Sequence, residues 1–172
     1  MNKFIFDVDG TLTPSRGTID PKFKEFFNCF CRDNPVYLVT GSDKPKTVEQ
    51  IGEDTYNLCY TVYNCNGNDV WQSNKNIRTN EWILPEAAHD WLSEQLTLSA
   101  FSLRTGLHFE HRPGMVNYSV VGRNANAEQR KTYVQWDTER LERIWIADKF
   151  NLIFPESEEH TSELQSPCRI SY

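Results

Sequence analysis

Apolar residues fall in short runs separated by polar stretches rich in Gly, Pro, Asn and Asp. Phe4, Ile5, Phe6 and Val8 predict a buried strand over 3–8, followed by a loop through Gly10-Thr11 and Pro14 to Gly17. Asp20-Pro21 reads as an N-cap with proline at the first helical position. It opens a helix to about 31, and Asn34-Pro35 ends it. A second apolar strand follows over 36–40, and Ser42 or Asp43 caps a helix to about 52. A third strand over 60–63 meets an Asn66-Gly67 turn, which points to a short hairpin with Val70-Trp71. Strands alternating with helices imply βαβ units and a parallel sheet.

The style changes near Asn74. A helix is predicted over 85–98, strands over 100–110 and 115–121 around Arg112-Pro113-Gly114, and helices over 126–137 and 139–150. Strand, strand and helix after a βαβ core suggest an inserted α+β lobe. The expected organisation is an α/β core, incomplete, over 1–74 and an incomplete α+β cap over 75–156. The last sixteen residues, 157–172, have no hydrophobic period, and their first ten resemble the translation of a sequencing adapter. They are expected to be a non-native tail on a truncated chain.

Composition narrows the function classes. The net charge of −6, about −4 without the tail, speaks against a phosphate-backbone binder, so no nucleic-acid partner is expected. No apolar run approaches the roughly 20 residues of a membrane span, so no membrane partner is expected either. Five scattered cysteines without a CxxC fit free thiols in a reducing cytosol better than a zinc site or disulfide framework.

The candidate chemistry lies at the end of the first strand, in FDVDGTLT. A carboxylate there can attack phosphorus, splitting one difficult transfer into two easier ones. A second carboxylate two residues on lies on the same side of an extended chain, placed to protonate the leaving oxygen and later deprotonate the incoming hydroxyl. Offsetting the repulsion between anionic nucleophile and anionic phosphate calls for a hard cation with oxygen ligands, such as Mg²⁺.

An apolar strand followed by DxDGTLT resembles the first motif of the haloacid dehalogenase (HAD) superfamily. The resemblance implies a HAD-like Rossmannoid core, Asp7 as nucleophile and Asp9 as general acid/base. It also implies Mg²⁺ on the Asp7 carboxylate and the Asp9 carbonyl. The second motif of that superfamily, a hydroxyl closing the second strand, matches Thr40 or Ser42 in VYLVTGSD. The segment HFEHRPGMVNYSVVGRNANAEQR is similar to the cap of the eukaryotic-type phosphomannomutases, and the similarity spans about 3–154. That resemblance implies that Arg16 lies near the sugar phosphate. It makes Arg112, Arg123 and Arg130, with Asn117 beside them, the grip on the phosphate distal to Asp7. It further implies a hexose bisphosphate activator and a homodimer through the cap. Asn64-Cys65, His111 and Pro113 depart from the family's pattern and bear on fine substrate specificity.

The expected function is a Mg²⁺-dependent hexose phosphate mutase that interconverts mannose 6-phosphate and mannose 1-phosphate through an aspartyl phosphate. The alternative is a HAD sugar-phosphate phosphatase, in which water resolves the same intermediate. The segment by itself is expected to be inactive, because the motif lysine and the remaining metal ligand of the family are not in it.

Overall fold

A computed structural model describes residues 2–15, 17–155 and 168–170. It divides into two compact units, Met1–Glu81 and Trp82–Tyr172.

The first unit is an α/β layer. Strands β1 (Phe4–Asp7), β2 (Val36–Val39) and β3 (Thr61–Asn64) run parallel, and β4 (Asp69–Gln72) and β5 (Lys75–Thr79) continue the sheet antiparallel in the order β1-β2-β3-β4-β5. Helix α1 (Pro21–Asp33) joins β1 to β2, and α2 (Lys44–Ile51) with α3 (Glu53–Leu58) joins β2 to β3. The predicted caps are in place: the Asp20 side chain accepts from the amides of Lys22 and Phe23, and Asp43 accepts from Lys46. Each satisfies donors that a helix start leaves open. Gly52, at φ +87, ends α2 and starts α3, a short helix the apolar pattern did not announce. Val8, Leu38, Val62, Phe27 and Ile51 form the core of this unit.

β1 is not buried on both faces, as its apolar run suggested. Phe4 and Phe6 are half-buried while Ile5 and Asp7 are exposed, because the helices of this unit cover one face of the sheet. β5 is a second difference. Its residues are exposed and polar, so the apolar pattern placed them outside the core, yet β5 pairs with β4.

In the second unit, β6 (Phe109–Arg112) and β7 (Met115–Tyr118) form an antiparallel hairpin, with β8 (Cys168–Ile170) parallel beside β7. Three residues of the supposed foreign tail therefore form a strand, since backbone pairing demands no particular side chains. The rest of that tail, and Arg16, lie outside the described residues. The strand expected over 100–110 is mostly loop and becomes regular only at Phe109. Helix α4 (Glu86–Leu98) precedes the hairpin; α5 (Ala127–Arg140) and α6 (Glu142–Ile153) follow it. The break between α5 and α6 is Leu141 at φ 56, a left-handed leucine that no pattern of polarity signals. Asp137 then accepts from the Arg143 amide, an N-cap supplied from the preceding helix. Leu92, Tyr118, Tyr133, Ile146 and Phe150 make this unit's core.

Candidate active site

In the first unit the chain folds sharply beyond Asp7. The Val8 carbonyl accepts from the amides of Thr11, Leu12 and Thr13, and Gly10, at φ +77, donates to the Thr13 carbonyl. Asp9 therefore sits in the turn rather than on an extended strand, so the alternation expected to align the two carboxylates stops at Asp7. Other contacts hold them. The Val8 amide donates to Asp7 Oδ1 at 2.7 Å, and Gln50 Nε2 donates to Asp9 Oδ1 at 2.8 Å and Thr13 Oγ1 at 3.3 Å. Gln50 is buried on α2, and the motif gives no hint of it. Asp7 is exposed and Asp9 partly so, which suits groups that must meet a ligand.

Thr40 and Ser42 follow the end of β2, the strand that pairs with β1. The Thr40 hydroxyl accepts from the Ser42 amide at 3.1 Å, and the Thr40 amide donates to the Tyr63 carbonyl. Both residues are buried. Asn64, read as a departure bearing on specificity, has a structural role. It accepts from Thr47 Oγ1 and donates to the Tyr56 hydroxyl and to Asp69, all within the buried interior.

In the second unit the hairpin brings four expected residues into one chain of contacts. Glu110 pairs across the ladder with Asn117, and Arg112 lies two residues further along β6, so these three side chains share a face. Arg112 Nη2 lies 3.1 Å from Glu110 Oε1, Arg123 Nε lies 2.8 Å from Glu110 Oε2, and Asn117 Nδ2 donates to Oε2 at 3.2 Å. Arg130 enters from the first turns of α5, whose start is fixed by a capping box between Asn126 and Gln129, and donates to the Arg123 carbonyl at 3.3 Å. Arg104, by contrast, is engaged by main-chain carbonyls of Leu96, Ser99 and Phe101. Glu110 is the residue that sequence reasoning missed. It stands in the HFEHR stretch that carries the family resemblance, two residues before Arg112, and that position is the signal that could have found it.

Burial pushes Glu110 up, but the charges of Arg112 and Arg123, with hydrogen bonds from Arg112 and Asn117, outweigh it and hold the carboxyl below its ordinary 4.5. Burial and the charge of Arg123 lower the Arg130 guanidinium. A depressed carboxyl contributes stability that is present above its unfolded value and lost as pH falls through the folded one. In urea unfolding, the advantage of the wild type over Glu110→Gln should be full at neutral pH. It should shrink as pH falls below the ordinary carboxyl value of 4.5 and through the lower value that Glu110 has in the fold. An advantage that grows in acid would refute the ion-pair assignment.

The Asp7 carboxylate and the Asp9 carbonyl would both offer oxygen to a metal, the donor type that a hard cation takes. Among the described residues no three His, Cys, Asp or Glu side chains converge as a metal cluster. No helix among them is long and apolar enough to cross a membrane.

The family described as eukaryotic phosphomannomutase matches residues 23–163, which include Thr40, Ser42, Arg112, Asn117, Arg123 and Arg130. The match begins beyond Asp7 and Asp9, whose assignment stands on their own motif. The phosphomannomutase of Saccharomyces cerevisiae is 29% identical over 164 residues, covering 88% of this chain and 62% of that protein. The phosphomannomutase of Schizosaccharomyces pombe is 31% identical over 159 residues, covering 84% and 60%. The chain thus spans about three fifths of the length of these relatives. Among solved structures, an N-terminally truncated, IMP-bound IMP-nucleotidase of Plasmodium falciparum aligns with a TM-score of 0.51 at 12% identity. That alignment covers 95% of this chain and 48% of the other, and the likeness is one of fold alone. With Arg112, Arg123, Arg130 and the hydroxyls closing β2 inside the matched segment, the chain belongs to the eukaryotic phosphomannomutase family.

Proposed function

We propose that the whole protein is a hexose phosphate mutase that interconverts mannose 6-phosphate and mannose 1-phosphate. An Asp7 oxygen attacks phosphorus and forms an aspartyl phosphate while the sugar oxygen leaves with a proton from Asp9. Asp9 then takes the proton of the incoming hydroxyl as the phosphoryl group passes back to sugar by way of a hexose bisphosphate. The hydroxyl of Thr40 or of Ser42 binds the phosphoryl group in transit, and the family resemblance assigns Arg16 to the sugar phosphate. Mg²⁺, held by the Asp7 carboxylate and the Asp9 carbonyl, offsets the charge between nucleophile and phosphate when bound. The protein works in the cytosol, where Cys29, Cys31, Cys59 and Cys65 remain free thiols. As in the family resemblance, it dimerises through the cap.

The observation that carries the mutase reading is the guanidinium group around Glu110. Arg112 and Arg123 gather at Glu110 with Arg130 beside them, and guanidinium forks of this kind match the oxygens of a phosphate dianion. Hydrolysis of one phosphate does not require holding a second. The test is to incubate the whole protein with mannose 1-phosphate, Mg²⁺ and a hexose bisphosphate. Mannose 6-phosphate should accumulate with little inorganic phosphate. Phosphate release without isomerisation would make the protein a sugar phosphatase instead.

A further inference from the structure

Glu110 is a carboxylate bonded at once to Arg112, Arg123 and Asn117, and holding an anion does not by itself call for one. We infer that Glu110 is a positioning residue, which keeps the guanidiniums of Arg112 and Arg123 in their anion-binding arrangement before any anion arrives. The inference rests on the phosphate-holding role proposed for this cluster.

Glu110 is fixed by its place in the hairpin. It faces Asn117 directly across the ladder and shares a strand face with Arg112. Its two oxygens are divided: Oε1 takes Arg112, and Oε2 takes Arg123 and Asn117. A carboxylate held from three sides cannot swing without breaking all three contacts. The two arginine side chains are also withdrawn from solvent, at 12% and 14% exposure. Guanidiniums gathered this closely repel one another, and Arg130 registers the charge of Arg123. The bridging carboxylate offsets that repulsion. Arginines ordered beforehand do not have to be immobilised by the ligand, so the affinity for the anion rises.

The opposite role is equally definite. If Glu110 merely filled the place of the anion, it would compete with it, and removing its charge would strengthen binding. The two roles differ in sign.

Sulfate, a dianion that does not titrate near neutral pH, serves as the probe in calorimetric titration of the full chain at fixed ionic strength. Glu110→Gln should weaken binding by about tenfold. Glu110→Asp, which keeps the charge, should lose less, and Glu139→Gln at an exposed ion pair should lose nothing. Equal or tighter binding by Glu110→Gln overturns the inference. A second measurement needs no variant. In the sulfate-free wild type, NMR should show hindered rotation about the Nε–Cζ bonds of Arg112 and Arg123, and free rotation overturns the inference even if Glu110→Gln does not fold. Hindered rotation without sulfate binding upholds the positioning role and removes the phosphate-holding role alone.

Discussion

Asp7→Asn in the whole protein is expected to lower mutase turnover by about four orders of magnitude or more, with no phosphoenzyme trapped on acid quench. The substitution is close to isosteric, and asparagine Oδ1 can still accept from the Val8 amide, so the turn beyond β1 should persist. What is lost is the anionic nucleophile. Asp9→Asn should behave differently, losing roughly two to four orders of magnitude while Asp7 remains able to accept a phosphoryl group from the bisphosphate. Turnover within about tenfold of wild type in Asp7→Asn would place the nucleophile elsewhere.

The second large effect concerns stability. Asp69 lies buried at the start of β4 and gathers donors from three strands: Trp71 Nε1 at 2.9 Å, Asn76 Nδ2 at 2.7 Å, Thr79 Oγ1 at 3.2 Å and Asn64 Nδ2 at 3.4 Å. Truncation strands the buried Asn64 amide and the half-buried Trp71 N–H, each at a cost of about 1–3 kcal/mol, while the exposed Asn76 and Thr79 donors turn to water. Relaxation recovers part of that, so Asp69→Ala is expected to destabilise the chain by about 2 kcal/mol in urea unfolding followed by circular dichroism. Asp90→Ala, on the exposed face of α4, should stay within about 0.5 kcal/mol. An equally small effect at Asp69 would mean that β5 is held by its backbone ladder alone.

Local chemistry was legible in the sequence and distant convergence was not. Asp20, Asp43 and Asn126 cap their helices because a cap is written within four residues of itself. The three parallel strands follow from apolar runs at regular spacing, and the hydroxyls of Thr40 and Ser42 from their place after the second. The arginines Arg112, Arg123 and Arg130, with Asn117, could be named because their spacing resembles a family. Gln50 could not, since it acts through partners that only folding brings near; it reaches Asp9 across 41 positions of chain. β5 was missed for a related reason. Its side chains carry no apolar signal, and Asp69 on the neighbouring strand is what ties it down. Leu141 shows the converse, a helix break at a residue whose intrinsic preference favours continuing.

The strand that carries Asp7 is one of the two edge strands of its sheet among the described residues, with β5 at the other edge. Ile5, at its centre, is 68% exposed. Edge strands of this kind open at lower free energy than central ones, so their amides exchange with solvent sooner. In deuterium exchange β1 should therefore lose protection before β2. In this chain, anything that pairs with or covers β1 would therefore steady the carboxylate proposed as nucleophile as directly as a contact to Asp7 itself.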